Sequence, residues 1–120
     1  MKESTKRFFK ENETWAKDAL IHYSQEGEHY RHLADAVGEL REDGFLDEDS
    51  YWEFRRKYRS KSNSMWDKHG AIRDVIDIIE GREPFWMQIP FEGGENPLKA
   101  DEGLAVQAVK EFIAYCKERR

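Results

Sequence analysis

Four histidines with carboxylates nearby are the first residues of this sequence that could do chemistry. His22, Glu26 and His29 are spaced by four and three residues, so a continuous helix would present all three side chains on one face. Glu26 and His29 also form an E-x-x-H unit, the ligand pair that di-iron helical bundles use. Such a centre needs a second E-x-x-H unit, and the sequence has none. We therefore expect no metal site and no cofactor, and we keep a metal-dependent hydrolase on Glu26 and His29 as a third alternative.

Two other reactive side chains have structural explanations. His69 lies on the core-facing side of a predicted helix, where we expect a buried histidine with its hydrogen bonds satisfied. Cys116 is the single cysteine, so it cannot close an internal disulfide, and its place on the apolar side of the last helix predicts a small buried hydrophobe. The sequence contains no P-loop, H-E-x-x-H or C-x-x-C motif, so the residues indicate no enzymatic activity.

Residues 33–40, LADAVGEL, and residues 74–79, DVIDII, form a second acidic pattern. Together they resemble two acidic helices of the MazG-type nucleotide pyrophosphohydrolases, an all-helical family in which two E-x-x-E/D pairs hold magnesium against a triphosphate. Glu39 and Asp74 match one partner of each pair, while Ala36 and Ala71 occupy the other two places. Magnesium bound through phosphates requires clustered carboxylate oxygens. We therefore expect the halved set not to bind magnesium, and the nucleotide-dependent hydrolase belongs with the third alternative.

The segment YWEFRRKYRSK, residues 51–61, is a basic island in an acidic chain. It carries five Lys/Arg and one Asp/Glu, a net charge of +4, whereas the whole chain has −5. Arginines neutralise phosphates and aromatic rings stack on bases, so this segment predicts contact with an anionic partner, including nucleic acid. A competing interpretation is that the cations pair with acidic residues of neighbouring helices. The candidate residues for anionic-partner binding are Trp52, Arg55, Arg56, Arg59 and Lys61; Tyr51, Phe54 and Tyr58 should share the core-facing side.

Residues 84–91, PFWMQIPF, give an apolar signal of a different kind. Between residues 81 and 99, three prolines and the pair Gly93 and Gly94 exclude a long helix, yet residues 84–91 are too apolar for an ordinary loop. We expect an irregular strap over residues 82–99. It either covers the helical core or binds a partner, because aromatic and methionine side chains are enriched at interface centres. The candidate partner-binding residues of the strap are Phe85, Trp86, Met87, Ile89 and Phe91.

Helical periodicity predicts the elements that position these residues. Apolar spacing indicates helix A over 5–25 and helix B over 28–42, with a break or kink favoured at Gly27 over one uninterrupted rod. Gly44 should end helix B, and Asp47 should cap helix C over 48–60, with Phe45 folding back and Leu46 stapled to Tyr51. A polar connection at 60–64 should lead into a central helix, helix D over 64–81, capped by Ser64 and ended by Gly81. Helix E should span 100–118.

The composition sets the overall class. With 38% charged, 38% hydrophobic and 13% aromatic residues in 120 positions, the chain predicts one folded domain, residues 1–120. We expect an all-α bundle of four to five helices, with B, C and D in consecutive antiparallel contact. No signal peptide or membrane span is evident, and we expect a cytoplasmic protein.

The leading hypothesis for function is a non-enzymatic protein–protein interaction module, a small inhibitor or accessory subunit of a bacterial or phage macromolecular complex. Its partner would be a protein or nucleoprotein complex, and a homodimer through the strap stays open. The second hypothesis is a nucleic-acid-binding helical protein that uses residues 51–61.

Overall fold

The computed structural model describes residues 1–82 and 101–119, and within these residues the ordered elements are helices. Helix α1 spans Glu3–Glu11, α2 spans Glu13–Glu42, α3 spans Glu48–Ile79 and α4 spans Glu102–Glu118. The prediction of an all-α bundle is confirmed. The predicted strap lies outside the described residues except for Arg82. No described helix has both the length and the apolar character that crossing a membrane would require.

The chain divides into two compact units. One comprises Met1–Leu20 and Lys68–Arg120, and the other comprises Ile21–Asp67. Helices α2 and α3 each contribute residues to both units. The expectation of a single domain stays a prediction.

The first unit has an apolar core centred on α3 and α4. Ile72, Val75 and Val109 are its largest fully buried side chains. Helix α1 packs against α4, and Trp15 meets Phe112 edge-on with ring centroids 6.1 Å apart. Three predicted α4 residues, Ala105, Val109 and Phe112, are buried, while Cys116 is only half-buried. The Nδ1 atom of His69 lies 3.0 Å from the Leu20 carbonyl oxygen, so the predicted hydrogen bond is present, although His69 is half-buried and not buried as expected.

The predicted break at Gly27 is wrong, because α2 runs without interruption through that residue. The chain instead breaks at Asn12, which ends α1 with φ −123° and ψ 33°. The Asn12 side-chain amide donates to the Phe8 carbonyl oxygen at 2.9 Å, and the Asn12 carbonyl accepts the Ala16 amide at 2.9 Å. Asparagine competes in this way with the helical backbone. One residue therefore ends the first helix and opens the second.

The predicted connection at 60–64 is also wrong, since α3 is one helix from Glu48 to Ile79. Helices C and D are therefore parts of the same element and form no antiparallel pair, and Ser64 is an exposed helix-interior residue, not a cap. Ser62 is buried, and its hydroxyl donates to the Gly27 carbonyl oxygen at 2.9 Å. Ser62, one of the residues that look like a polar linker in the sequence, thus serves close helix packing.

The predicted turn between α2 and α3 is confirmed in its main features. Gly44 has φ +81°, and the amides of Gly44 and Phe45 donate to the carbonyls of Arg41 and Leu40, which is a Schellman ending. The Asp47 carboxylate accepts the Ser50 amide at 2.7 Å and caps α3. Phe45 does not fold back, because its side chain is 77% exposed. Gly81 ends α3 with φ +79°, as predicted.

Candidate interaction face on the third helix

The start of α3 is held against α2 within the second unit, and this contact determines which side of α3 meets solvent. Tyr51 is buried, and the Tyr58 ring stacks on Tyr30 with centroids 6.5 Å apart. Arg41 of α2 lies over the Tyr51 ring at 4.5 Å and pairs with Glu48 at 3.1 Å. The contacts run in opposite directions along the two helices, as the predicted antiparallel pairing of B and C requires. Phe54, expected in the core, is 38% exposed.

Another side of α3 carries four of the five predicted anion-binding residues. Trp52, Arg55, Arg56 and Arg59 line one open groove of about 660 Å³, and we call these four residues the basic-aromatic face. The Trp52 side chain is 45% exposed, while Arg56 and Arg59 are exposed and Arg55 is half-buried. Three guanidinium groups and an indole therefore share one solvent-accessible surface.

The groove extends beyond the segment that the sequence indicated. Within the described residues it is also lined by Ser60, Asn63, Ser64 and Asp67. Sequence reasoning missed these residues because it placed 60–64 in a connection between helices. Their spacing from Arg56 by four, seven, eight and eleven residues continues the same helical stripe, and that periodicity was the available signal. Hydroxyl and amide groups, together with the carboxylate of the exposed Asp67, thus adjoin the arginines.

The arginines of the basic-aromatic face form no ion pair within residues 1–82 and 101–119. The arginines that do form ion pairs there are Arg31, Arg41, Arg73 and Arg82. Arg55 instead lies over the Trp52 ring, with its guanidinium carbon 5.5 Å from the ring centroid. The competing interpretation, in which acidic residues of neighbouring helices neutralise these cations, therefore finds no support among the described residues.

The structure places Lys61 away from the other predicted anion-binding residues. Its Nζ atom lies over the Tyr30 ring at 5.3 Å, on the side of α3 that faces α2. Lys57 similarly lies over the Tyr58 ring at 6.0 Å. The basic island is therefore divided, with three arginines at the groove and two lysines on aromatic rings.

The remaining candidates from the sequence are the histidine–carboxylate pattern, the acidic pattern and the strap. His22, Glu26 and His29 do lie on one uninterrupted helix, yet no group of three or more His, Cys, Asp or Glu residues in the described parts of the chain could hold a metal ion. Glu39 belongs to the second unit, whereas Asp74 is buried in the first unit near Arg73. The strap residues Phe85, Trp86, Met87, Ile89 and Phe91 lie outside the described residues.

Comparison with known proteins adds no family to this picture. No protein-family model, curated protein or solved structure matches the chain. Function is therefore inferred from the geometry of the basic-aromatic face.

Proposed function

We propose that this protein is a non-enzymatic interaction module that docks on a macromolecular complex through the basic-aromatic face, and that single-stranded nucleic acid of that complex occupies the groove. The protein would act there as a small accessory or inhibitory subunit. One observation carries the proposal: three arginines without an ion pair in the described chain flank an exposed indole on one helix.

The chemistry of these groups matches a nucleic-acid strand. A guanidinium group binds phosphate oxygens through paired hydrogen bonds, and the strength of such bonds comes from the charges on both partners. An exposed tryptophan offers a flat surface on which a base can stack, a contact worth about 1–3 kcal/mol. Ser60, Asn63 and Ser64 add neutral hydrogen-bonding groups along the same groove. The groove thus offers a suitable side chain for each of the phosphate, base and sugar groups.

The exposed indole favours a single strand over a duplex. Bases in a duplex are stacked on one another, whereas unpaired bases can stack on an aromatic side chain. Carboxylates on an acidic protein surface would also attract the arginines, but a carboxylate offers no planar ring on which Trp52 can stack. Binding of an acidic polypeptide in preference to oligonucleotides would therefore move the proposal to a protein partner.

Fluorescence anisotropy with labelled single-stranded DNA and RNA tests the proposal. Arg56→Ala/Arg59→Ala removes two charges from the groove, and Lys57→Ala/Lys61→Ala removes two charges from the same stretch of α3 outside it. We expect the arginine variant to weaken binding by about tenfold or more and the lysine variant by about twofold, because only the arginines contact phosphates. Equal losses in both variants, or no binding by the wild-type protein at low salt, would refute it.

A further inference from the structure

The exposed stripe of α3 changes sign along its length. Asp49 and Glu53 lie on the first turns of the helix, and Arg56 and Arg59 follow on the same side. All four residues are exposed, and none of them forms an ion pair within the described part of the chain. Trp52, also exposed, lies between the two acidic residues in sequence. One helix face therefore carries an acidic end and a basic end.

Such a stripe is complementary to itself when two copies run antiparallel. A two-fold axis level with Phe54 along the helix would place Asp49 of one copy opposite Arg59 of the other, and Trp52 opposite Arg56. Asp49 and Arg59 are ten residues apart, or about 15 Å along a helix, so both contacts can form at each end of the same pairing. Two-fold symmetry forms each of these residue pairs twice, because both copies present the same surface.

We infer that the α3 stripe is also a self-association surface whose occupant is a second copy of this protein, bound antiparallel across the stripe. The inference goes beyond the proposed function, because it concerns contact between two copies and needs no nucleic acid. It has a consequence for that function, since the paired copy covers the arginines that would bind phosphate.

The contact is small and mostly polar, which determines its strength. One stripe on one helix falls at the low end of interface size, where association is weak and transient. Its charged pairs stay close to solvent and are screened by salt. We therefore expect a dimer that forms only at high protein concentration and dissociates as the ionic strength rises.

Analytical ultracentrifugation of charge-reversed variants tests this inference. Between residues 49 and 59, Asp49→Lys/Glu53→Lys replaces both acidic residues of the stripe with cations, and Arg56→Glu/Arg59→Glu replaces both exposed arginines with carboxylates and keeps only the half-buried Arg55. We expect wild-type protein to dimerise with a dissociation constant that rises at least about tenfold from 0.05 M to 0.5 M salt. Each variant alone should stay monomeric, and an equimolar mixture of the two should form a heterodimer.

Two outcomes would overturn the inference: a wild-type protein that stays monomeric at millimolar concentration and low salt, or a mixture of folded variants that fails to pair. Circular dichroism of each variant confirms that its helices are intact. The Asp49→Lys/Glu53→Lys variant keeps all three arginines, so it should bind oligonucleotide at least as tightly as the wild type. If the wild-type protein binds oligonucleotide but forms no dimer, only the self-association is refuted. Oligonucleotide binding by Arg56→Ala/Arg59→Ala tests the proposed function and not the self-association.

Discussion

Gly27 is a packing residue of α2, and its effect depends on one neighbour. A Cβ atom at this position would lie 2.7 Å from Nε1 and 2.9 Å from Cε2 of Trp66. The backbone carbonyl of Gly27 also accepts the Ser62 hydroxyl. At this contact between the helices of the second unit, the missing side chain at Gly27 makes room for the Trp66 indole.

We predict opposite effects for alanine at two glycines of α2. At Gly38, where an added Cβ atom would meet nothing within 4 Å, alanine should raise the free energy of unfolding by up to about 1 kcal/mol through helix propensity. At Gly27 the overlap with Trp66 should outweigh that gain and lower the free energy of unfolding by up to about 2 kcal/mol. Urea denaturation of both variants measures the difference.

The Trp66→Ala background is the control for the Gly27 prediction. Without the indole, Gly27→Ala should become stabilising, like Gly38→Ala. If alanine at Gly27 destabilises the protein equally with and without Trp66, the overlap is not the cause, because a double-mutant cycle isolates the coupling between the two positions.

Asp47 makes the cap of α3 sensitive to pH. The Ser50 amide donates to its carboxylate, and this hydrogen bond lowers the pKa of Asp47 below its usual value of 3.8. A lowered folded-state pKa means that the cap stabilises the fold above pH 3.8, and that this stabilisation is lost as the pH falls through the folded-state pKa. The charged cap also lies at the positive end of the helix dipole.

Asp47→Asn is the matching variant, because asparagine caps helices about as well as aspartate and does not titrate. As the pH falls from 6 to about 2.5, we expect the melting temperature of the wild type to fall by more than that of the variant. Thermal melts followed by circular dichroism at each pH give the comparison. A constant difference in melting temperature across this range would contradict the role of the Asp47 charge.

At the scale of elements, the continuity of α3 has the largest consequence for function. The groove joins Trp52 to residues beyond Ser60, and it can do so only because one helix carries them all. A connection at 60–64 would have removed Asn63 and Ser64 from the arginine stripe. The position of these residues beside the basic-aromatic face therefore depends on an uninterrupted backbone.

Ser64→Pro tests that continuity. Proline is tolerated at the start of a helix, where the sequence predicted Ser64 as the cap, but in a helix interior it costs about 3 kcal/mol or more. We expect Ser64→Pro to lower the free energy of unfolding by about that amount and Ser64→Ala to leave it nearly unchanged. A folded Ser64→Pro protein with wild-type stability would show that the helix breaks there.

The sequence predicted the helix ends better than the helix interiors. Gly44, Asp47 and Gly81 act through local backbone chemistry, which a few neighbouring residues are enough to predict. Gly27 and the run 60–64 looked like breaks because their role depends on a partner helix that is distant in sequence. No glycine or proline lies between Phe45 and His69, and that absence was the available sign of a continuous α3.

For the candidate site too, the sequence predicted what depends on neighbouring residues and missed what depends on a partner helix. The basic-aromatic composition of 51–61 was visible in the sequence, and so was the set of residues that form the face. The separation of Lys61 from Arg59 was not, because it requires the contact of Lys61 with Tyr30 of α2. The sequence likewise could not show whether neighbouring carboxylates neutralise the arginines, because this depends on the three-dimensional arrangement.

At the scale of the whole molecule, charge distribution governs how the basic-aromatic face can act. The chain has a net charge of −5, so it repels nucleic acid at long range, and only the local arrangement of the arginines favours contact. Binding should therefore be short-ranged and modest in strength. Its dependence on salt reports how many phosphates the arginines neutralise.

The salt dependence of binding to a single-stranded oligonucleotide tests the central claim most directly. Three arginines on phosphates predict a slope of about −2 for the logarithm of the association constant against the logarithm of salt concentration, and Arg59→Ala should reduce its magnitude by about 0.7. Lys61→Ala, which removes an equal charge outside the groove, should leave the slope unchanged. A slope near zero, or equal changes in both variants, would contradict binding at the basic-aromatic face.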